Sequence, residues 1–266
     1  MEKINQQNYI LGAIIGDVIG SVYEWNNVKT IEFPLFKDET NFTDDSVLSI
    51  ATMNAIVDKI PYQKAYQEYG RNYPNRGYGE RFIWWLMEAN PKPYDSWGNG
   101  SAMRVSPVGW AFDNLEDVLK EAKKSAEVSH NHPEGIKGAQ AVASAVYLAR
   151  NGKSKNEIKD YITKKFDYDL NRNLDEIRPK YNFDVSCQGS VPEAIIAFLE
   201  STDFENAIRL AISIGGDSDT IACITGAIAE AYYKEIPENI KNRVLELLPE
   251  EFIEVIDKFS YDFITY

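Results

Sequence analysis

The sequence predicts an all-α fold arranged as a single compact domain over residues 1–266. Three observations lead there. Long segments repeat their apolar residues at helical spacing, several are rich in alanine and glycine as closely packed helices are, and period-2 alternation is scarce. Gly12, Gly16 and Gly20 stand four residues apart in an apolar run. That is the spacing of close helix–helix approach, and because no strand precedes it, not of dinucleotide binding. Val47 to Val57 is apolar on most of its surface, and Ala139 to Ala149 and Ile221 to Tyr233 read as buried, small-residue helices. Ser154 with Glu157 and Ser190 with Glu193 both fit a capping box, the second ahead of the apolar run Ala194 to Leu199. Thr202 to Ile214 and Ile240 to Phe259 carry further helical spacing. Irregular stretches fall at Asn26 to Asn41, Tyr69 to Tyr78, Asn90 to Ser101 and Lys180 to Gly189. None is biased enough to be a linker.

Composition narrows the function class. With 44% hydrophobic and 26% charged residues the chain has the make-up of a globular protein, not of a disordered one. Its 28 Lys+Arg against 41 Asp+Glu leave a net charge of −13, which repels phosphate backbones and anionic lipid surfaces. The longest basic runs are the pairs Lys123-Lys124 and Lys164-Lys165, so nucleic-acid binding through a basic patch is not expected. Cys187 and Cys223 have no metal-ligand spacing and read as reduced core thiols, a disulfide being the weaker option. Residues Met1 to Asn8 lack the charged-then-apolar order of a signal peptide, and no apolar run reaches the ~18 residues of a membrane span. The expected setting is cytoplasmic, away from membranes, with a monomer as the default state.

Two acidic clusters stand just ahead of apolar helices: Thr43-Asp44-Asp45-Ser46 and Gly215-Gly216-Asp217-Ser218-Asp219-Thr220. Either alone is explained by helix capping, since Thr and Asp accept bonds from free N–H groups and acids favour that end of the helix dipole. Capping needs only one acceptor, however, and the extra carboxylates would repel one another if drawn together between such apolar helices. A hard divalent cation removes that repulsion. Carboxylate and hydroxyl oxygens select Mg²⁺, Mn²⁺ or Ca²⁺, and the Cys/His set that zinc prefers is missing. Asp44, Asp45, Asp217 and Asp219 would balance two such ions.

A third segment, Gly98-Asn99-Gly100-Ser101-Ala102-Met103-Arg104, follows Ser96-Trp97. Glycines on both sides of an asparagine let backbone pass close to a ligand and turn N–H groups toward phosphate, although a plain loop has the same look. His130 and His132, the two histidines of the chain, share a polar loop bounded by Pro133 and Gly135 ahead of a buried helix. Glu24 follows Gly20 by one helical turn and is by default a solvated glutamate.

In this order the segments resemble the ADP-ribosylglycohydrolase family. The pieces that carry the resemblance are GAIIGDVIGSVYEW, FTDDSVL, WGNGSAMRVSPVGWAF, SHNHPEGIKGAQAV, SCQGSVPEAI and SIGGDSDTIACITGAIAEAYY, spread over residues 12 to 233. They are most similar to the compact bacterial members of the dinitrogenase-reductase-activating type. The resemblance implies an orthogonal all-α fold, a binuclear Mg²⁺ or Mn²⁺ centre and removal of ADP-ribose from a modified protein or a small ADP-ribose conjugate. By position, Thr43, Asp44 and Asp45 match the family's first metal cluster, and Asp217, Asp219 and Thr220 its second. Glu24 matches a glutamate that is a metal-linked and catalytic candidate, with Asp44 and Asp45 as alternative proton carriers. The loop Ser96, Trp97, Gly98, Asn99, Gly100, Ser101, with Met103 just beyond, matches the one that holds the diphosphate and distal ribose, Trp97 falling where some members stack an aromatic on adenine. His130 matches a histidine that reaches the bound ADP-ribose, His132 at most supporting it. Arginine-directed bacterial members carry an aspartate three residues before the loop asparagine. Here Ser96 stands there and Asp95 is one residue earlier, so the linkage cleaved stays open.

The chemistry implied is cleavage of a ribosyl C–N or C–O bond through an oxocarbenium-like state, with a carboxylate managing the proton. The rivals are a non-catalytic ADP-ribose reader or structural protein of the same fold, and a metal-dependent phosphohydrolase acting on a nucleotide.

Overall fold

In the computed structural model, which describes residues 10–264, fourteen α-helices and no strand are found among the described residues. They are α1 (Gly12–Gly20), α2 (Asp44–Val57), α3 (Tyr62–Asn72), α4 (Glu80–Met87), α5 (Ser106–Ala111), α6 (Leu115–Glu127), α7 (Pro133–Arg150), α8 (Lys155–Phe166), α9 (Leu174–Ile177), α10 (Cys187–Glu200), α11 (Phe204–Ser213), α12 (Ser218–Tyr233), α13 (Glu238–Leu245) and α14 (Glu250–Phe263). One 3₁₀ turn, Asn99–Ser101, lies between α4 and α5. The octapeptide Met1 to Asn8, read above for the lack of a leader, lies outside the described residues.

Helix α12 is the central element and packs against α1, α7, α10 and α11. Ser218 through Ala231 are all buried, as the small-residue run predicts. Helix α1 runs antiparallel to it at a separation only glycine permits. A Cβ on Gly16 would lie 2.0 Å from the carbonyl oxygen of Ala222. The stripe is thus a packing device, and it brings the start of α12 beside the end of α1. Ile14, Ile15, Val18 and Ile19 are fully buried around this contact, each contributing about 1.5–3 kcal/mol on leaving water. The start of α1 is capped from a distance: Glu230 on α12 accepts from the N–H groups of Leu11 and Gly12, both at 2.9 Å.

Most of the expected elements are present, with several differences. The Ser154/Glu157 capping box forms at α8. The one at Ser190 does not: α10 begins at Cys187 with Ser186 as its cap, and Pro192 lies inside the helix. Ser190 instead turns its hydroxyl back to the carbonyls of Asp184 and Ser186, both at 2.9 Å. The spacing over Ile240 to Phe259 belongs to two helices, α13 and α14, because Pro249 starts a new one. Helix α3 takes up part of the expected loop Tyr69 to Tyr78. Helix α6, not among the expected elements, buries one stripe, Val118, Ala122, Ser125 and Ala126, of a mostly polar sequence. Cys187 and Cys223 are free and buried. Among the described residues no helix is long and apolar enough to cross a membrane.

Candidate active site

Three helix ends meet at one place. The N-termini of α2 and α12 carry the two acidic clusters, and α1 brings Asp17 and, just past its end, Glu24. One carboxylate oxygen from each of Asp17, Asp45 and Asp219 lies within 4.8 Å of the others, and the same holds for Glu24, Asp217 and Asp219. Capping uses little of this. Thr43 caps α2 by accepting from the N–H of Asp45, whereas α12 has no side-chain cap bond. Asp17 serves the first cluster from inside. It accepts from the Thr43 hydroxyl at 2.6 Å, from the N–H groups of Thr43 and Ser46 at 2.9 and 3.1 Å, and from the Ser46 hydroxyl.

The electrostatics are those of anions held together against their repulsion. Burial, reinforced by the charge of Asp219, pushes Asp44 and Asp45 well above the ordinary carboxylate range. Asp219 is raised likewise by burial and then by Asp217. Asp217 rises to about 6 through burial, opposed by the amide of Asn99, and Glu24 to about 7 through burial and the neighbouring Asp219. Oδ1 of Asp45 is buried and has no hydrogen-bond partner among the described residues. Such an oxygen is costly unless a proton or a cation meets it. An all-oxygen donor set of this kind fits a hard divalent ion.

Facing the acids is the glycine loop. Its backbone is pinned to the start of α10 by hydrogen bonds from Asn99 N–H to Val185 O at 2.8 Å and from Cys187 N–H to Trp97 O at 2.9 Å. The Asn99 amide donates to Asp217 Oδ2 at 2.6 Å and to Ser190 Oγ at 3.0 Å. Ser101 is turned inward onto the carbonyl of Gly135. On the acidic side, Gly215 and Gly216 both take positive φ, 75° and 74°, to make the turn that presents Asp217. Asn27 clamps that turn: it accepts from Gly216 N–H at 2.7 Å and donates to Gly216 O at 3.0 Å.

Between the two lies a cavity of about 370 Å³, a size suited to a small-molecule ligand. Glu24, Asp44, Asp45, Asp217, Asp219 and Thr220 form one wall. Ser96, Gly98, Asn99, Gly100, Met103 and His130 form the other. Three expected residues are not in the lining. Thr43 is engaged with Asp17, Ser101 with Gly135, and Trp97 lies half exposed, edge-on to His132. Asp95 is exposed, with φ of 56° and its N–H held by Asn131, so Ser96 takes the place at the cavity. His132 caps α7 by accepting from the N–H of Glu134.

Asp17, Asn27 and Arg104 are absent from the sequence-level candidates. Asp17 had a signal, a lone acid in the unbroken apolar run Ala13 to Ile19. Asn27 had none, since its partner lies 189 residues away.

The sequence profile of the ADP-ribosylglycohydrolase family matches residues 7–263. The chain is similar to ADP-ribosylhydrolase ARH3 of Mus musculus, 27% identical with 86% of this chain and 84% of that protein covered. It is also 27% identical to the putative ADP-ribosyl glycohydrolase L543 of Acanthamoeba polyphaga mimivirus, with 89% of each covered. A solved chain from an ADP-ribosylglycohydrolase-related protein complex has the same fold, with a TM-score of 0.70 at 22% identity over 96% of this chain and 98% of that one.

Proposed function

The chain belongs to the ADP-ribosylglycohydrolase family, and from that membership we propose that it is a metal-dependent hydrolase that frees ADP-ribose from a modified target by cleaving the bond at C1 of the distal ribose. The target is an ADP-ribosyl-arginine, an ADP-ribosyl-serine or a small ADP-ribose conjugate. The observation that carries the reading is the convergence of Glu24, Asp217 and Asp219 within 4.8 Å on the wall of a cavity whose opposite wall is the glycine loop.

Thr43, Asp44, Asp45, Asp217, Asp219 and Thr220 would hold two divalent cations, Mg²⁺ or Mn²⁺, with Asp17 orienting Thr43 from behind. When bound, such ions supply Lewis acidity, a lowered pKa for water and a grip on vicinal hydroxyls. The chain's own groups do the rest. Glu24, open to the cavity and beside Asp217 and Asp219, is suited by its position to take a proton from water and to return one to the leaving group. Asp44 and Asp45 are the alternatives for that role. The N–H of Gly98 is used by Ser96 and that of Asn99 by Val185, so at the cavity wall the diphosphate contact falls to Gly100. Met103 and His130 complete the floor, and Trp97 reaches an adenine only from outside the cavity. A protein of net charge −13 takes an anionic ligand here because ions and amides supply the local positive field. A cytoplasmic, monomeric protein acting away from membranes and nucleic acid is part of the same reading.

The test is product identity. ADP-ribosyl-serine and ADP-ribosyl-arginine peptides are incubated with the protein in Mg²⁺, Mn²⁺ or EDTA, and the products are weighed by mass spectrometry. Metal-dependent release of free ADP-ribose from one peptide is expected. AMP would point to a phosphohydrolase, and metal-dependent binding of ADP-ribose without release to a reader.

A further inference from the structure

Arg104 is fully buried, an unusual place for a charge that meets no carboxylate among the described residues. Its guanidinium lies over the Tyr66 ring, 4.1 Å from the centroid. Its Nη2 donates to the carbonyl of Ser125 at 3.1 Å and to Ser129 Oγ at 2.9 Å. Ser129, itself fully buried, has its oxygen 2.8 Å from His130 Nδ1. No other partner of the Ser129 hydroxyl is found among the described residues.

We propose that Arg104 and Ser129 are positioning residues that hold His130 in its Nε2–H tautomer, so that an N–H donor and not a lone pair faces the cavity. The inventory of hydrogens around Ser129 decides the tautomer. Arginine can only donate, so Ser129 Oγ accepts from it and keeps its own hydrogen to give. Nδ1 is the acceptor in reach, and a hydrogen on Nδ1 would leave the hydroxyl hydrogen without a partner in a buried site. With Nδ1 accepting, the neutral ring carries its hydrogen on Nε2. That atom faces the glycine loop: a Cβ on Gly100 would stand 3.1 Å from it, and one on Gly98 3.5 Å. Burial and the charge of Arg104 both disfavour the imidazolium. His130 then serves as a neutral donor to a ligand oxygen. The tautomer rests on geometry alone, and its use on a ligand rests on the function proposed above.

Nitrogen-15 NMR of histidine-labelled protein reads the tautomer directly. The chain has only two histidines, and His132→Asn assigns the pair while keeping a capping residue at that position. His130 in the wild type is expected to show a single Nε2–H form. Ser129→Ala is expected to give mixed tautomers and about tenfold weaker binding of ADP-ribose, the loss of one well-placed hydrogen bond. A wild-type His130 that is Nδ1–H or mixed overturns the relay, even if the variant fails to fold. So does an unchanged tautomer in folded Ser129→Ala. Calorimetry of wild-type protein with ADP-ribose separates the two ideas, because failure to bind would overturn the proposed function while the tautomer reading still decides the relay.

Discussion

Asn99 and Asp217, 118 residues apart in sequence, are joined by a 2.6 Å hydrogen bond from the amide to the carboxylate. This bond ties the glycine loop to the cluster that would hold metal. It also fixes which oxygen of Asp217 meets the loop.

Asn99→Asp replaces this donor with a second carboxylate beside Asp217. The added repulsion is expected to raise the metal concentration needed for half-maximal activity at least tenfold, equivalent to about 1.4 kcal/mol. A metal titration of activity checks it, with Asn99→Ala giving the effect of losing the donor alone.

Metal binding is expected to stabilise the fold. At about a hundred times the dissociation constant, Mg²⁺ or Mn²⁺ should add about 2.7 kcal/mol, or roughly 5–10 °C in Tm for a chain of this size. Differential scanning fluorimetry with and without EDTA measures it. Asp45→Asn should lose most of the shift, because the orphaned Oδ1 is the atom that gains most from a cation.

Stability should also depend on Glu230. Burial raises this carboxyl to about 7, from 4.5 when the chain unfolds. The folded state therefore holds the proton more tightly, so the contribution is fully present below about 4.5 and is lost as pH rises toward 7. The loss is about 3 kcal/mol. Urea unfolding across this range should show the gap between wild type and Glu230→Gln shifting by that amount in favour of the variant as pH rises.

Gly16→Ala drives a methyl to within 2.0 Å of the Ala222 carbonyl. Separation of α1 from α12 should cost about 3 kcal/mol, the upper range for overpacking, and should move Asp17 and Glu24 away from Asp219. Chemical denaturation read beside an activity assay would show both losses together.

Much of this was legible in the sequence because it is local. The glycine stripe of α1, the small-residue run of α12 and the acid pairs at two helix starts each carry their meaning within one or two turns. Asp17 was harder to find, since its role depends on Thr43 and Ser46 folding onto it from another helix. The Ser190 cap misled for the opposite reason: a locally good pattern lost to a tertiary demand, the acceptor that Asn99 requires. The relay from Arg104 through Ser129 to His130 spans 26 residues and rests on hydrogen-bond geometry that no spacing encodes.

The most direct test is the rate of ADP-ribose release by wild type, Asp219→Asn and Glu24→Gln, each with Mn²⁺ and with EDTA. Wild type should require the metal. Asp219→Asn should lose release together with its metal affinity, and Glu24→Gln should fall by roughly 10²–10⁴-fold in kcat with metal still bound, the usual loss for an acid–base group. Release that survives EDTA, or wild-type rates in Asp219→Asn, would contradict the assignment of the acidic cluster as the centre of the reaction.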